Sequence, residues 1–148
     1  MESSETLHLP VEESKKRIAT LQELLQARAL DCALIYYDEL AIANGWYLSG
    51  WCPRFESGMV FVPREGDAAI LGGPESEPFA KSDSAIKDTR NVSVFMVPEE
   101  EYPNATILTF AEALRELSGG KPSQESVSSA TTVSHFGSTG AWRGSLEM

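Results

Sequence analysis

The chain has 148 residues, of which 42% are apolar, and a formal net charge of −10 at pH 7. That length suits one globular domain, and the negative charge disfavours binding to nucleic-acid phosphates or anionic membranes. No apolar run reaches the ~18 residues of a membrane span, and the acidic start lacks the order of a secretory signal, so we expect a cytoplasmic protein. The two cysteines are too few for a disulfide framework, and with only two histidines the chain has few ligands for a zinc site.

Charge divides the chain into a body and a tail. Residues 1–118 carry the whole net charge, whereas residues 119–148 contain two basic and two acidic side chains and are rich in Ser, Thr and Gly. We therefore assign residues 1–118 to a folded domain and residues 119–148 to a divergent or truncated tail. Within that tail, residues 130–136 have the composition of a weak strand.

The first elements in chain order are a helix and a strand. Pro10 suits the first turn of a helix, because its missing N–H needs no partner there. Apolar residues follow it at helical spacing, among them Ile18, Leu21 and Leu25. Residues 32–37 are short and apolar, which predicts a buried strand.

The middle of the chain is predicted to form further short helices and strands. Asp38 is predicted to cap a short helix that ends at Gly45, and residues 46–50 are predicted to form the next strand. Residues 59–62 and 68–71 flank a glycine-containing turn, which is typical of a β-hairpin.

The last elements of the body alternate in the same way. We predict a short helix over residues 75–82, a strand over residues 92–97, and a final helix that begins with a capping box at Thr109–Glu112 and ends near Gly119. This order of elements predicts an α/β fold with a mixed sheet and helices on both faces.

An ordered series of motifs resembles the creatinase/prolidase N-terminal domain of the pita-bread metallopeptidases, which include aminopeptidase P, prolidase and creatinase. The resemblance covers residues 12–118, and its most specific piece is the Tyr-Leu-Ser-Gly element, which is usually Tyr-Leu-Thr-Gly in the family. The series that carries it consists of Arg17, Leu21 and Leu25, followed by Leu30–Ile35, Trp46–Gly50, Gly58–Pro63, and Gly66 with Ile70–Leu71.

The resemblance implies a three-layer, ribonuclease H-like α/β domain that catalyses nothing by itself. In the family, the following domain supplies two Asp, one His and two Glu, which hold a pair of divalent metal ions. No such set is visible in this sequence, so we expect neither a catalytic residue nor a cofactor in this chain. The resemblance also implies a homodimer.

The loop of residues 51–57 is the candidate for substrate access, because the resemblance places it near the active site of the other subunit. Trp51 would supply an apolar wall, Arg54 would pair with a substrate carboxylate, and Phe55 and Glu56 complete the candidate set. In the alternative interpretation, Trp51 and Phe55 pack on the edge of the sheet and Arg54 is solvated.

Two acidic groups have simpler explanations than chemistry. Glu75 and Glu77 would point in different directions in a first helical turn, where acidic residues favour the helix dipole. Glu99, Glu100 and Glu101 are interpreted as a solvated turn rather than a metal site.

Three functional hypotheses follow. The first is a non-catalytic N-terminal domain of an Xaa-Pro aminopeptidase or prolidase-like protein, which contributes to oligomerisation and to the access of peptides with an N-terminal Xaa-Pro. The second is a fragment of an active metal-dependent Xaa-Pro peptidase that needs its missing catalytic half. The third is a stand-alone domain that binds a small ligand. The departure from the family after residue 118 is interpreted either as a truncation or frame change, or as a real divergent tail.

Overall fold

A computed structural model describes residues 9–51, 53, 56–119 and 131–132. The helices within these ranges are α1 (Val11–Ala27), α2 (Ile42–Ser49), α3 (Glu77–Asp83) and α4 (Phe110–Leu117). The strands are β1 (Cys32–Tyr37), β2 (Gly58–Pro63), β3 (Ala69–Gly72), β4 (Asp88–Val92), β5 (Ile107–Leu108) and β6 (Thr131–Thr132).

The strands form one mixed sheet in the order β5-β4-β3-β2-β1-β6. The pairs β1–β2 and β2–β3 are antiparallel, whereas β3–β4, β4–β5 and β1–β6 are parallel. Strand β6 falls inside the stretch of the tail that was predicted to form a weak strand, and it pairs with Ala33 and Leu34 of β1.

Helices cover both faces of the sheet, as the sequence predicts. Alternate residues of β2 point to opposite faces, so Val60 and Val62 join a core with α1, α2 and α3, while Phe61 joins a second core with α4. The α/β prediction with a mixed sheet is confirmed. No helix in the described ranges is long and apolar enough to cross a bilayer.

The strand predicted over residues 46–50 is wrong, because these residues belong to helix α2 and its cap. Asp38 caps the turn before that helix, as predicted: its Oδ1 accepts the Leu40 and Ala41 amides at 2.9 and 2.8 Å. Helix α2 runs through Gly45 and ends at Gly50, whose φ of +69° gives the left-handed cap that favours glycine. Residue 45 of this helix is a glycine because the ring of Tyr37 packs against it: a Cβ there would lie 2.6 Å from Cδ1 of Tyr37. This glycine therefore permits a close contact instead of ending the helix.

The strand predicted over residues 92–97 is also misplaced. Strand β4 ends at Val92, and Ser93–Phe95 form a 3₁₀ turn that brings the Phe95 ring into the second core. The sequence of β4, Asp-Thr-Arg-Asn-Val, is mostly polar, so it lacks the apolar pattern from which a buried strand is predicted. Its polar side chains are paired within the fold: Thr89 and Asn91 donate to Glu77.

The hairpin and the capping box are confirmed. Gly66 in the hairpin turn has a φ of +104°, and the Gln22 side chain of α1 donates to the carbonyls of Pro63 and Gly66 at 3.1 and 2.8 Å. At the start of α4, the Glu112 amide donates to the Thr109 hydroxyl, and the Thr109 amide donates to the Glu112 carboxylate.

Candidate functional site

The Tyr-Leu-Ser-Gly motif anchors the start of the candidate loop. The Ser49 side chain is buried, and its hydroxyl lies 2.7 Å from the Gly45 carbonyl and 2.8 Å from the Trp51 carbonyl. The same oxygen accepts the Trp51 amide at 3.1 Å, and the Ser49 carbonyl accepts the Ala85 amide at 2.8 Å. One hydroxyl thus ties the last turn of α2 to the first residue of the loop, which fixes the direction in which the loop leaves the helix.

Trp51 lies in the first core rather than on the surface. Its side chain is 8% exposed, and its ring meets the Tyr37 ring edge to face, with 6.3 Å between centroids and 83° between planes. The role of Trp51 as an apolar wall for a substrate stays a prediction. Arg54 and Phe55 lie outside the described residues, so their place in the site stays a prediction.

Glu56 is half-buried and faces the turn that connects β3 to α3. Burial raises the pKa of Glu56, a hydrogen bond with the Ser76 side chain lowers it, and the neighbouring Glu75 raises it further, with a net shift upward. One carboxyl oxygen of Glu56, Oε2, is buried and has no hydrogen-bond partner among the described residues. The structure thus joins a predicted loop residue to Glu75 and Ser76.

Glu75 is the second carboxyl group of this junction. It precedes α3, and its Oε1 accepts the Val97 amide at 3.1 Å, while its Oε2 is buried without a partner in the described part of the chain. Gly73 is required beside it, because a Cβ there would lie 2.5 Å from the Glu75 carboxylate and 2.6 Å from the Phe95 carbonyl. The sequence reading assigned Glu75 to the helix dipole and missed its proximity to Glu56. The two glycines before Glu75 were the one sequence feature that could have indicated a close approach of other groups to this turn.

Glu77 has a structural role at the joint between α3 and β4. Its carboxylate accepts Thr89 Oγ1 and Asn91 Nδ2 at 2.8 Å and Lys81 Nζ at 2.7 Å. Burial raises the pKa of Glu77, but the bonds from Lys81, Asn91 and Thr89 outweigh burial and hold the pKa below its usual value. These three donors stabilise the ionised form of Glu77, which explains its lowered pKa.

The Glu99–Glu101 turn is exposed, as the sequence reading proposed. Beside it, a hydrogen bond to Glu100 raises the pKa of the half-buried Tyr102, and Glu75 contributes to the same upward shift. In the ranges that the structure describes, no group of three or more His, Cys, Asp or Glu side chains is arranged to hold a metal ion.

A cleft of about 450 Å³ opens near the start of β1 and the end of α4. Its lining includes Phe61, Leu117 and Arg64, and Arg64 pairs with Asp31 at 3.2 Å. Burial and, to a lesser degree, Asp31 raise the pKa of the Cys32 thiol, which also lines the cleft. Cys32 is therefore a neutral thiol at pH 7 rather than a reactive thiolate.

Comparison of the sequence with known protein families and with curated proteins finds no match. Solved structures do share the fold. Dipeptidase PepE from Mycobacterium ulcerans is 15% identical over 78% of this chain and 28% of its own chain, with a TM-score of 0.54. The chain therefore shares the fold of the part of dipeptidase PepE that it matches.

Two further solved structures are similar to this chain. One is the creatinase/prolidase N-terminal domain of an X-Pro dipeptidase from Streptococcus pyogenes, 14% identical over 69% of this chain and 66% of that one, with a TM-score of 0.43. The other is an Xaa-Pro aminopeptidase from the same organism, 13% identical over 83% of this chain and 92% of that one, with a TM-score of 0.47. The present chain spans less than a third of dipeptidase PepE.

Proposed function

We infer that this chain acts as a non-catalytic N-terminal domain of an Xaa-Pro aminopeptidase or prolidase-like protein in the cytoplasm, where it contributes to substrate access and to oligomerisation. The observation that supports this is the fold similarity to dipeptidase PepE, of which the matched part is 28% of the chain. In this proposal, a separate domain holds the two divalent metal ions and performs the hydrolysis. The substrate is a peptide with an N-terminal Xaa-Pro.

Substrate access is assigned to the loop of residues 51–57. Ser49 fixes the backbone at its start, and Trp51 is buried in the core, so the loop leaves from a rigid base. In the proposal, Arg54 donates to the carboxylate of the bound peptide as a bidentate group. Glu56 closes the other end of the loop against the β3–α3 turn.

A domain exchange tests this assignment. We expect a chimera, in which this chain replaces the matched part of dipeptidase PepE, to hydrolyse an Ala-Pro dipeptide in the presence of Mn²⁺, while this chain alone shows no turnover. In the chimera, Arg54→Ala removes a charge-assisted hydrogen bond, so KM is expected to rise about tenfold with little change in kcat. Steady-state kinetics measure both constants.

The matched control is Arg28→Ala, which removes an exposed arginine at the end of α1. An equal rise of KM in the control would contradict a specific role for Arg54. Turnover by the isolated chain would contradict the non-catalytic role and favour the hypothesis of an active peptidase. A folded but inactive chimera would contradict the role in substrate access.

Oligomerisation is assigned to the exposed apolar surface at α2. Leu40 is 92% exposed, and Ile42 and Trp46, one helical turn apart, are about two-fifths exposed. Helix α2 contains no charged residue, so two copies can approach there without direct like-charge contact in spite of the net charge of −10. We propose that a second copy of the chain covers this surface.

Sedimentation equilibrium tests the dimer. We expect a mass of twice 16.2 kDa for the chain, and a monomer mass for Trp46→Glu, which places a charge on the proposed apolar contact. Phe79→Glu is the control, because Phe79 is an exposed aromatic residue on α3. Loss of the dimer in the control but not in Trp46→Glu would place the interface elsewhere.

The cleft beside Cys32 favours a second candidate function, a stand-alone domain that binds a small ligand. Its volume of about 450 Å³ falls within the range of small-molecule sites, and its lining combines Phe61 and Leu117 with the charged pair Asp31–Arg64. An inactive chimera together with a ligand-induced rise of Tm, abolished by Phe61→Ala, would favour this candidate.

A further inference from the structure

Two side chains of α1 bond to carbonyl groups in the last turn of α2. The buried Ser14 donates a hydrogen bond from its hydroxyl to the Leu48 carbonyl. Arg17 donates from Nη1 to the Tyr47 carbonyl at 2.8 Å. Carbonyls in the last turn of a helix lack partners within the helix, and they form the negative end of its dipole. Helix α1 therefore supplies α2 with two donors, one neutral and one cationic.

Helix α2 has no charged residue of its own to complement this negative end. Its exposed side consists of two rows of uncharged side chains, each pair one helical turn apart: Ile42 with Trp46, and Ala43 with Tyr47. A lysine or arginine at the exposed positions of the last turn would replace Trp46 or Tyr47 and put a charge within this surface. Because the cation comes from Arg17 of α1 instead, the exposed side of α2 stays uncharged.

The Arg17 guanidinium group also lies over the ring of Tyr47. Its Cζ is 4.3 Å from the ring centroid, which is the geometry of a cation–π contact. Its Nε bonds to the Glu13 carboxylate at 2.9 Å on the same helix, so three contacts fix the guanidinium group. Tyr47 is nevertheless about half exposed, so its ring is held in place and is still accessible to a partner.

Ordering of an exposed aromatic side chain before association favours binding. A side chain that is mobile in the free protein loses rotamer entropy when a partner covers it, and this cost is absent when the side chain is already held. In a symmetric dimer both copies use the same surface, so the effect counts twice. Tyrosine and tryptophan are also among the residues that contribute most to the free energy of binding at protein interfaces.

We propose that Arg17 is the positioning residue of the α2 surface: it holds the Tyr47 ring beside Trp46, on the side of the helix that a second copy of the chain covers. Trp46 and Tyr47 are consecutive and about 100° apart around the helix, so they border each other on its exposed side. The Arg17 side chain is only 20% exposed and forms little of the contact itself, so it acts through Tyr47. Its role at this surface rests on the dimer of the proposed function.

Sedimentation equilibrium over a range of concentrations gives the Kd of the dimer and tests this role. We expect Arg17→Ala to raise Kd about tenfold, because Tyr47 is then ordered only on association. Arg28→Ala is the matched control: it removes an exposed arginine from the end of the same helix, changes the net charge equally and leaves Kd unchanged. Equal values of Kd in the two variants overturn the proposal.

Two further variants separate positioning from general stability. Ser14→Ala removes the other bond between α1 and α2, so its Tm, measured at concentrations below Kd, is expected to fall by several degrees while Kd is unchanged. In the Tyr47→Leu background, Arg17→Ala is expected to have no further effect on Kd, because the ring that it positions is absent. A rise of Kd in Ser14→Ala that equals the rise in Arg17→Ala, or a rise in Arg17→Ala that persists without the Tyr47 ring, overturns the proposal.

The oligomeric state of the native chain distinguishes the role of Arg17 from the proposed dimer. A native chain that sediments as a monomer at all concentrations contradicts both. A dimer that is lost in Trp46→Glu, but has the same Kd in Arg17→Ala as in the native chain, supports the proposed surface and overturns only the role of Arg17.

Discussion

Replacement of Trp51 by alanine is expected to lower the free energy of unfolding by about 3–5 kcal/mol, the range for deleting a large aromatic side chain from a core. The Trp51 side chain is only 8% exposed and packs edge to face on Tyr37, which is itself buried. The loss is the sum of lost burial, the aromatic contact and the cavity that remains. Urea-induced unfolding, followed by far-ultraviolet circular dichroism, measures it.

Two variants isolate the cause. Phe79→Ala removes an aromatic side chain that is 62% exposed on α3, and it is expected to cost less than about 1 kcal/mol. Trp51→Phe keeps an aromatic ring against Tyr37 and should recover most of the stability lost in Trp51→Ala. A loss for Trp51→Ala no greater than that for Phe79→Ala would contradict a core position for Trp51 and would favour the predicted apolar wall at the substrate.

Sequence patterns predicted the fold wherever periodicity and turn chemistry agreed. Strand β1 is an apolar run, the Gly66 hairpin has its turn residue, and α4 has a capping box, so each was predictable from local sequence. The pattern failed at Gly45, where the glycine does not end a helix but permits a close contact with Tyr37 from another element. Such a contact depends on tertiary structure, and no local pattern reports it.

The candidate site was predicted less completely, for the same reason. The Tyr-Leu-Ser-Gly motif identified the loop, but the role of the Ser49 hydroxyl as the link between Gly45 and Trp51 required the end of α2 to be seen as a helix. The hydrogen bond between Glu56 and Ser76 joins two segments that are separated by the β2–β3 hairpin. A fold shared with peptidases also leaves the role of a loop open, since function belongs to sites and not to folds.

Replacement of Gly58 by alanine is expected to cost about 3 kcal/mol, at the upper end of the range for inserting a methyl group into a packed core. A Cβ on Gly58 would lie 2.5 Å from the Tyr37 hydroxyl oxygen and 2.6 Å from the Leu71 carbonyl oxygen. The second contact is with backbone in the neighbouring strand β3, so it cannot be relieved by a change of side-chain rotamer. Strand β2 must shift away from β3 or from β1, and either shift disturbs the centre of the sheet.

Gly72→Ala is the matched control, because it also adds a methyl group at a buried strand glycine. There the nearest atom, Ser76 Oγ, is 3.3 Å away and belongs to a side chain, so a loss below about 1 kcal/mol is expected. Tyr37→Phe removes the hydroxyl from the first contact but leaves the Leu71 carbonyl in place, together with the ring carbon Cζ, which lies 2.7 Å from the added Cβ. In the Gly58→Ala background it should therefore restore only part of the stability. Full restoration would show that the tyrosine hydroxyl alone excludes a side chain at residue 58, and equal losses for Gly58→Ala and Gly72→Ala would contradict the close approach of β2 to β3. Partial restoration of stability by Tyr37→Phe would identify Gly58 as the position at which β1, β2 and β3 pack together, just after the candidate loop.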